Sequence, residues 1–210
     1  MLWQHGRMRT APKTSRARGA HPRRSAAPTF VARRGGAPWT ETVTLSNRRR
    51  VVLRPIRPDD TTALRRGFAA LSPEDVRLRF LHPITEMTEE LAQHLCAVDA
   101  RRELALVLAE PPPEGDALVG AVARASIPEG GDTAEFALIV ARPLRGYGLG
   151  EHLLRKLIGW ARRKRLRRIV GTVLNENDAM LALAAKLGFT RASAPGEPGV
   201  TEIQLALTRA

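Results

Sequence analysis

Apolar and polar positions alternate in two different periods along the chain, and the change of period separates strands from helices. Short alternating stretches at Val43–Leu45 and Val51–Ile56 predict strands around a basic turn, Asn47–Arg50. Pro58-Asp59-Asp60 predicts a helix running through Leu71, with acids in its first turn. Ser72-Pro73-Glu74-Asp75 is a second helix start: a capping serine, proline at the first helical position, then acids. Thr88-Glu89-Glu90-Leu91 predicts a third helix, with Leu91, Leu95 and Val98 on one face. Period two returns at Glu103–Ala109, which ends at the triple-proline turn 111–113, then at Ala117–Ile127 and at Thr133–Ala141 after a Gly130-Gly131-Asp132 turn. Beyond them the period becomes 3.6: Leu149, Leu153, Leu157 and Ala161 share a helical face, flanked by Leu154 and Ile158. A strand at Ile169–Leu174, a short helix at Ala179–Leu187 stopped by Gly188, and a strand at Thr201–Leu207 complete an α+β order of about seven strands.

Composition narrows the class. The chain has 210 residues and 43% hydrophobic content, which suits one domain that needs no disulfide staples. No apolar run reaches the length of a membrane span, and Met1–Arg9 leads into Ala, Pro, Ser and Arg rather than a signal-peptide core. The single Cys96 reads as a small buried hydrophobe, and no metal cluster is expected, so a reducing cytoplasm is the expected compartment. The net charge of +13 is unevenly spread: nine of the 34 basic residues and none of the acids fall in residues 1–40, leaving 25 basic against 21 acidic in 41–210. The expected division is therefore a basic disordered tail, 1–40, and a single mildly basic domain, 41–210. Three readings of the tail compete: an electrostatic contact with nucleic acid or an anionic surface, a transit-peptide-like leader, or a passive extension with Met8 as an alternative start.

The segment with most chemical content is Arg145-Gly146-Tyr147-Gly148-Leu149-Gly150, between the strand ending at Ala141 and the amphipathic helix. Alternate glycines let a ligand approach the main chain, whose N–H groups can converge on an anion at the positive end of the helix. Such a loop suits a diphosphate, with Arg145 as a charged contact at its rim. It is not a P-loop, because Glu151-His152 follows Gly150, and it lacks the spacing of a dinucleotide fingerprint.

These residues carry a resemblance. Arg145-x-x-Gly148-x-Gly150 resembles the Gln/Arg-x-x-Gly-x-Gly/Ala signature of the GNAT acetyltransferase superfamily, and Asn177 with Lys186-Leu187-Gly188-Phe189 is similar to that family's second half. Leu53–Asp60, Leu71–Glu74 with Leu78-Arg79-Phe80, and Ala134–Ala137 resemble the catalytic domain of bacterial Pat-type protein lysine acetyltransferases. The resemblance implies an αβα layered fold with a mixed, mostly antiparallel sheet flanked by helices and splayed at a site for acetyl-CoA, with no metal. It implies that the main chain of Leu138, Ile139 and Val140 pairs with the pantetheine arm, that the Val140 N–H polarises the thioester carbonyl, and that residues 145–150 (Arg145, Gly146, Tyr147, Gly148, Leu149 and Gly150) hold the pyrophosphate. It also places Asn177 near the pantetheine or thiol end, where a plain helix cap is the competing reading.

A lysine amine arrives protonated and needs a proton acceptor before it can attack. The resemblance assigns that role to Glu135, which alternation places on one strand face with Ala137 and Ile139, opposite Phe136, Leu138 and Val140; an ordinary cross-strand pair is the competing reading, and partial burial of Glu135 is expected. Many superfamily members protonate the departing thiolate with a tyrosine where this chain has Ala184; the only tyrosine here is Tyr147. His82, His94 and His152 read as surface or cap histidines, Trp160 as packing, and the basic run 162–168 as either a solvated helix end or a contact for the 3′-phosphate. The expected acceptor is a protein lysine, an acyl-CoA synthetase being one candidate. A small amine (amino acid, polyamine or aminoglycoside) and a non-catalytic acyl-CoA sensor stand as alternatives, with no membrane partner and nucleic acid only through the tail.

Overall fold

The computed structural model describes residues 29–33, 39–82, 84–109, 119–192 and 198–207. Strands β1 (Thr29–Arg33), β2 (Thr40–Thr44), β3 (Arg50–Pro55), β4 (Glu103–Ala109), β5 (Val119–Ser126), β6 (Thr133–Val140), β7 (Arg168–Leu174), β8 (Thr190–Ala192) and β9 (Val200–Ala206) form one sheet in the order β1-β2-β3-β4-β5-β6-β7-β9-β8. Every pairing is antiparallel except β6 with β7. Five helices flank it: α1 (Thr61–Ala69), α2 (Pro73–Phe80), α3 (Glu89–Cys96), α4 (Leu149–Arg163) and α5 (Asp178–Lys186).

Strand alternation builds a core on each face of the sheet. Leu106 and Leu108 of β4 and Ala121, Ala123 and Ala125 of β5 join the larger core, with α4 and α5. Ala105, Val107 and Val119 face the smaller core, with α1, α2 and α3. The apolar run of β4 is thus covered on both sides, as a central strand requires. Helix α4 buries Leu149, Leu153, Leu154, Leu157, Ile158, Trp160 and Ala161; each large apolar side chain contributes about 2 kcal/mol.

Local signals act as the sequence implies. Ser72 Oγ accepts from Asp75 N at 3.2 Å behind Pro73, and Thr88 Oγ1 accepts from Leu91 N at 3.2 Å. The Pro58–Asp60 segment is a 3-10 turn, and α1 proper ends at Ala69, two residues before the expected Leu71. Here Arg54 grips Asp60 with both Nη atoms at 2.6 Å, and Asp60 also accepts from Arg57 N, so a buried carboxylate ties β3 to the start of α1.

Among the described residues the sheet has nine strands, close to the expected seven; the two beyond that number are the short edge strands β1 and β8. Strand β1 lies inside the segment read as an unstructured tail, and Thr40 already belongs to β2. The Arg-rich surroundings of Thr29-Phe30-Val31 masked a strand pattern of aromatic and β-branched residues. The rest of residues 1–38 and the triple-proline turn lie outside the described residues, and Val98 falls beyond the end of α3.

Candidate active site

Strands β6 and β7 are paired only at Thr133–Arg168, Ala134–Ile169 and Glu135–Val170. On its other side β6 stays paired with β5 through Val140. The main chain of Phe136–Val140 therefore presents an edge with no strand beside it. Phe136 explains where the separation begins. Its ring packs at 5.5 Å, centroid to centroid, on Phe189, and lies so close to Gly171 of β7 that a Cβ there would sit 2.7 Å from Cε1. A bulky wedge opposite a residue with no side chain parts the strands at the next register position.

The cleft so opened, about 380 Å³, is lined by Leu138, Ile139, Val140, Arg145, Gly146, Gly148, Leu149, Gly150 and Asn177 from the expected set. Gly146 and Gly148 have φ of 82° and 74°, in the left-handed region that favours glycine. Gly148 is the N-cap of α4 and supplies no side-chain cap; the first internal bond is His152 N to Gly148 O at 3.1 Å. The first-turn amides, which no helix satisfies internally, thus point into the cleft with the positive end of the helix dipole. A Cβ on Gly150 would project between Leu183 Cδ2 at 3.4 Å and the methyls of Leu138 and Val140 at 3.9 Å, so the missing side chain keeps that mouth open. Apolar walls of Leu138, Val140, Met180 and Leu183 lead from the amides along the free strand edge. The arrangement fits a long, flexible arm ending in a diphosphate.

Two expected residues are placed differently. Tyr147 does not line the cleft; its hydroxyl accepts from Asn47 Nδ2 at 3.0 Å and fastens the loop to the β2–β3 turn, leaving only its main chain for a ligand. Glu135 is exposed, not partly buried, and stands at the last paired position of β6, before the residues that line the cleft. Asn177 caps α5, its Oδ1 accepting from Met180 N at 3.1 Å, and still faces the cleft. Ala184 is buried and Leu183 fronts the cleft, so neither of these positions offers a proton donor.

Arg145 also departs from expectation. Its Nε donates to Val140 O at 2.9 Å and its Nη2 to Asp75 Oδ1 at 2.6 Å, so these donors anchor the loop rather than reach for an anion. Asp75, buried on α2, also faces Arg142 Nε at 3.3 Å. Burial alone would raise the Asp75 carboxyl, but the bonds from Arg145 and from Ser72 outweigh it and hold it below its usual range. Glu151, in the first turn of α4, would repel a diphosphate if left bare. Lys186 and Arg155 both pair with it, Lys186 the more strongly, and together they depress its carboxyl.

Sequence reasoning missed Asp75, Arg79 and Lys186 as cleft residues. Helical patterning assigns Asp75 only to a first turn, and it falls between the two stretches, Leu71–Glu74 and Leu78–Phe80, that carry the Pat-type resemblance. His82 and His94 are exposed. His152 turns away from the loop toward the buried Glu41, its Nε2 2.9 Å from Oε1, beside Lys156 Nζ at 2.6 Å from Oε2. The basic run starts in the last turn of the 15-residue α4 and continues beyond it, about 20 Å from the amides; within it Lys164 bonds Arg101 O and Arg167 pairs with Asp132. That distance removes it as a 3′-phosphate contact. Cys96 is buried, as expected.

Comparison with known proteins agrees with this geometry. The family model described as Acetyltransferase (GNAT) domain matches residues 50–190. The chain is 31% identical over 172 residues to the acetyltransferase PA5475 of Pseudomonas aeruginosa, covering 82% of this chain and 91% of that protein. Among solved structures it is similar to the GNAT domain of S. lividans PAT, with TM-score 0.70 and 25% identity over 83% of this chain and all of that one. It also shares the fold of a cAMP-binding acyltransferase from Mycobacterium smegmatis (TM-score 0.53, 23% identity), matching 80% of this chain and 47% of that longer one.

Proposed function

The chain belongs to the GNAT acetyltransferase family, an acetyl-CoA-dependent N-acetyltransferase resembling the Pat catalytic domain, and we propose that it transfers acetyl to the side-chain amine of a protein lysine by direct attack. The observation that carries the proposal is the union of a strand edge left unpaired beyond Glu135 with the open amides of α4. The lysine acceptor is supported by the Pat-type segments Leu53–Asp60 and Leu71–Glu74 with Leu78-Arg79-Phe80, of which Ile56, Leu71 and Phe80 belong to the core under α1–α3.

Acetyl-CoA supplies an activated thioester carbonyl. The main chain of Gly146–Gly150 holds its diphosphate, Leu138–Val140 align the pantetheine arm, and the Val140 N–H points positive charge at the carbonyl oxygen. Asn177 retains its amide group for the thiol end. Glu135 takes the proton from the incoming ammonium; because it is exposed, a water relays that proton. Nitrogen then bonds to the carbonyl carbon as the carbon–sulfur bond breaks, and the second proton of the nitrogen passes to solvent. The thiolate, with an ordinary pKa near 8.5, is protonated by solvent, since no tyrosine lines the cleft.

The test is a panel of proteins and small amines incubated with labelled acetyl-CoA, repeated with Glu135→Gln. Protein lysine labelling that falls at least tenfold in kcat with unchanged acetyl-CoA affinity supports the proposal. Labelling confined to small amines overturns the acceptor, an unchanged rate removes Glu135, and binding without transfer leaves an acyl-CoA sensor.

A further inference from the structure

Beneath α1–α3 lies a second cavity, small (about 50 Å³) and largely apolar, on the β6 face that carries Glu135 and Ile139. Arg79 and Ile139 line both this cavity and the cofactor cleft, so the two spaces meet at the strand edge where the arm would end. Phe68, Phe80 and Val122 wall the inner space, and Arg124 enters it from β5.

The two arginines differ in their partners. Arg124 Nη1 bonds Glu103 Oε2 at 2.8 Å, and its Nη2 donates to Leu95 O. Arg79 has only the ring of Phe80 beside it, 4.8 Å from Cζ to centroid, and no hydrogen bond or ion pair among the described residues. The nearest acid of α2 facing the cleft, Asp75, is occupied by Arg145 and Arg142. Burial, reinforced by the like charge of Arg124, lowers the Arg79 guanidinium to about 10, so it stays protonated at neutral pH. The residue is half-buried where the two spaces meet, and its guanidinium has no counterion there among the described residues. Its planar fork matches a carboxylate in a bidentate pair.

We propose that Arg79 forms a carboxylate-recognition subsite at the substrate end of the cleft, reading a carboxylate borne either by the acyl group or by the acceptor amine. The subsite rests on the acyl-transfer reading above but not on its acetyl-to-lysine form, since neither an acetyl group nor a lysine side chain bears a carboxylate. Two matched pairs separate the sources. Succinyl-CoA and butyryl-CoA differ at the acyl terminus in a carboxylate against a methyl; leucine and leucinamide differ only in the acceptor's carboxylate.

With the full chain, kcat/KM and calorimetric affinity are measured for both pairs in wild type, Arg79→Gln and Arg79→Lys. At least a tenfold preference for the anionic member of one pair is expected. Arg79→Gln should abolish it and Arg79→Lys retain part of it, while CoA affinity stays within twofold. No anionic preference in either wild-type pair overturns the subsite without any variant. So does a preference that survives Arg79→Gln, or an equal loss of CoA affinity that shows Arg79 serving the diphosphate. In each of these cases, acetyl transfer to uncharged amines by wild type leaves the acyl-transfer reading standing; its loss together with loss of CoA binding defeats that reading instead.

Discussion

Adding one methyl group at Gly171 tests how the cleft is made. A Cβ there would lie 2.7 Å from Phe136 Cε1, 2.9 Å from Cζ and 3.2 Å from Cδ1. Ordinary contact begins near 3.4 Å, so the ring must retreat by roughly half an ångström or more, and Phe189 on its other side blocks an easy path. Overpacking of this kind costs about 1–3 kcal/mol. For a chain of this size that lowers Tm by roughly 2–12 °C. Phe136 is also the first residue of the free edge, so its displacement moves Leu138–Val140 relative to the amides of α4. Gly171→Ala should therefore lower both Tm and CoA affinity. Adding Phe136→Leu, which removes the wedge, should restore part of the Tm but not the affinity, because the strands then close together. Thermal unfolding and calorimetric titration of the single and double variants read both quantities. Unchanged Tm and affinity in Gly171→Ala would refute the wedge.

Other consequences follow from the charged residues around the cleft. Asp75→Asn should weaken CoA binding several-fold and cost about 1–3 kcal/mol in denaturant unfolding, since Arg145 loses a charged partner at 2.6 Å while keeping its bond to Val140 O. Burial, with Lys156 adding to it and Glu41 opposing, lowers the His152 imidazole below its ordinary 6.5. The unfolded chain then binds the proton more readily, so stability should be lost as pH falls through about 6.5. Comparing Tm at pH 7.5 and 5.5 in wild type and His152→Gln checks this; the wild type should show the steeper fall, and equal slopes would exclude the imidazole.

Much of this molecule was legible in the sequence because local signals and tertiary packing agree. Ser72, Thr88 and Asn177 cap the helices whose starts they announce, and the leucines of α4 share a face both in the pattern and in the core. The alternate glycines of 146–150 were readable for the same reason: left-handed φ at Gly146 and Gly148 is a local demand on the residue. Long-range pairs were not readable. Arg145 meets Asp75 across 70 positions, Tyr147 meets Asn47 across 100, and Glu41 meets Lys156 across 115. Only the fold decides that Arg145 anchors the loop, that His152 turns to Glu41, and that Glu135 is exposed. Edge strands β1 and β8 escaped for a related reason. Strands of three to five residues leave a weak pattern, and neighbouring arginines hide it.

The central claim is that main-chain amides at the start of α4 hold a diphosphate while the free edge of β6 holds the arm attached to it. The most direct measurement compares, by calorimetry at low ionic strength, acetyl-CoA with S-acetylpantetheine, which has the same arm and thioester but no nucleotide diphosphate. Acetyl-CoA should bind saturably, one to one, and S-acetylpantetheine at least a hundredfold more weakly. Equal affinities, or no uptake of acetyl-CoA by folded protein, would contradict it.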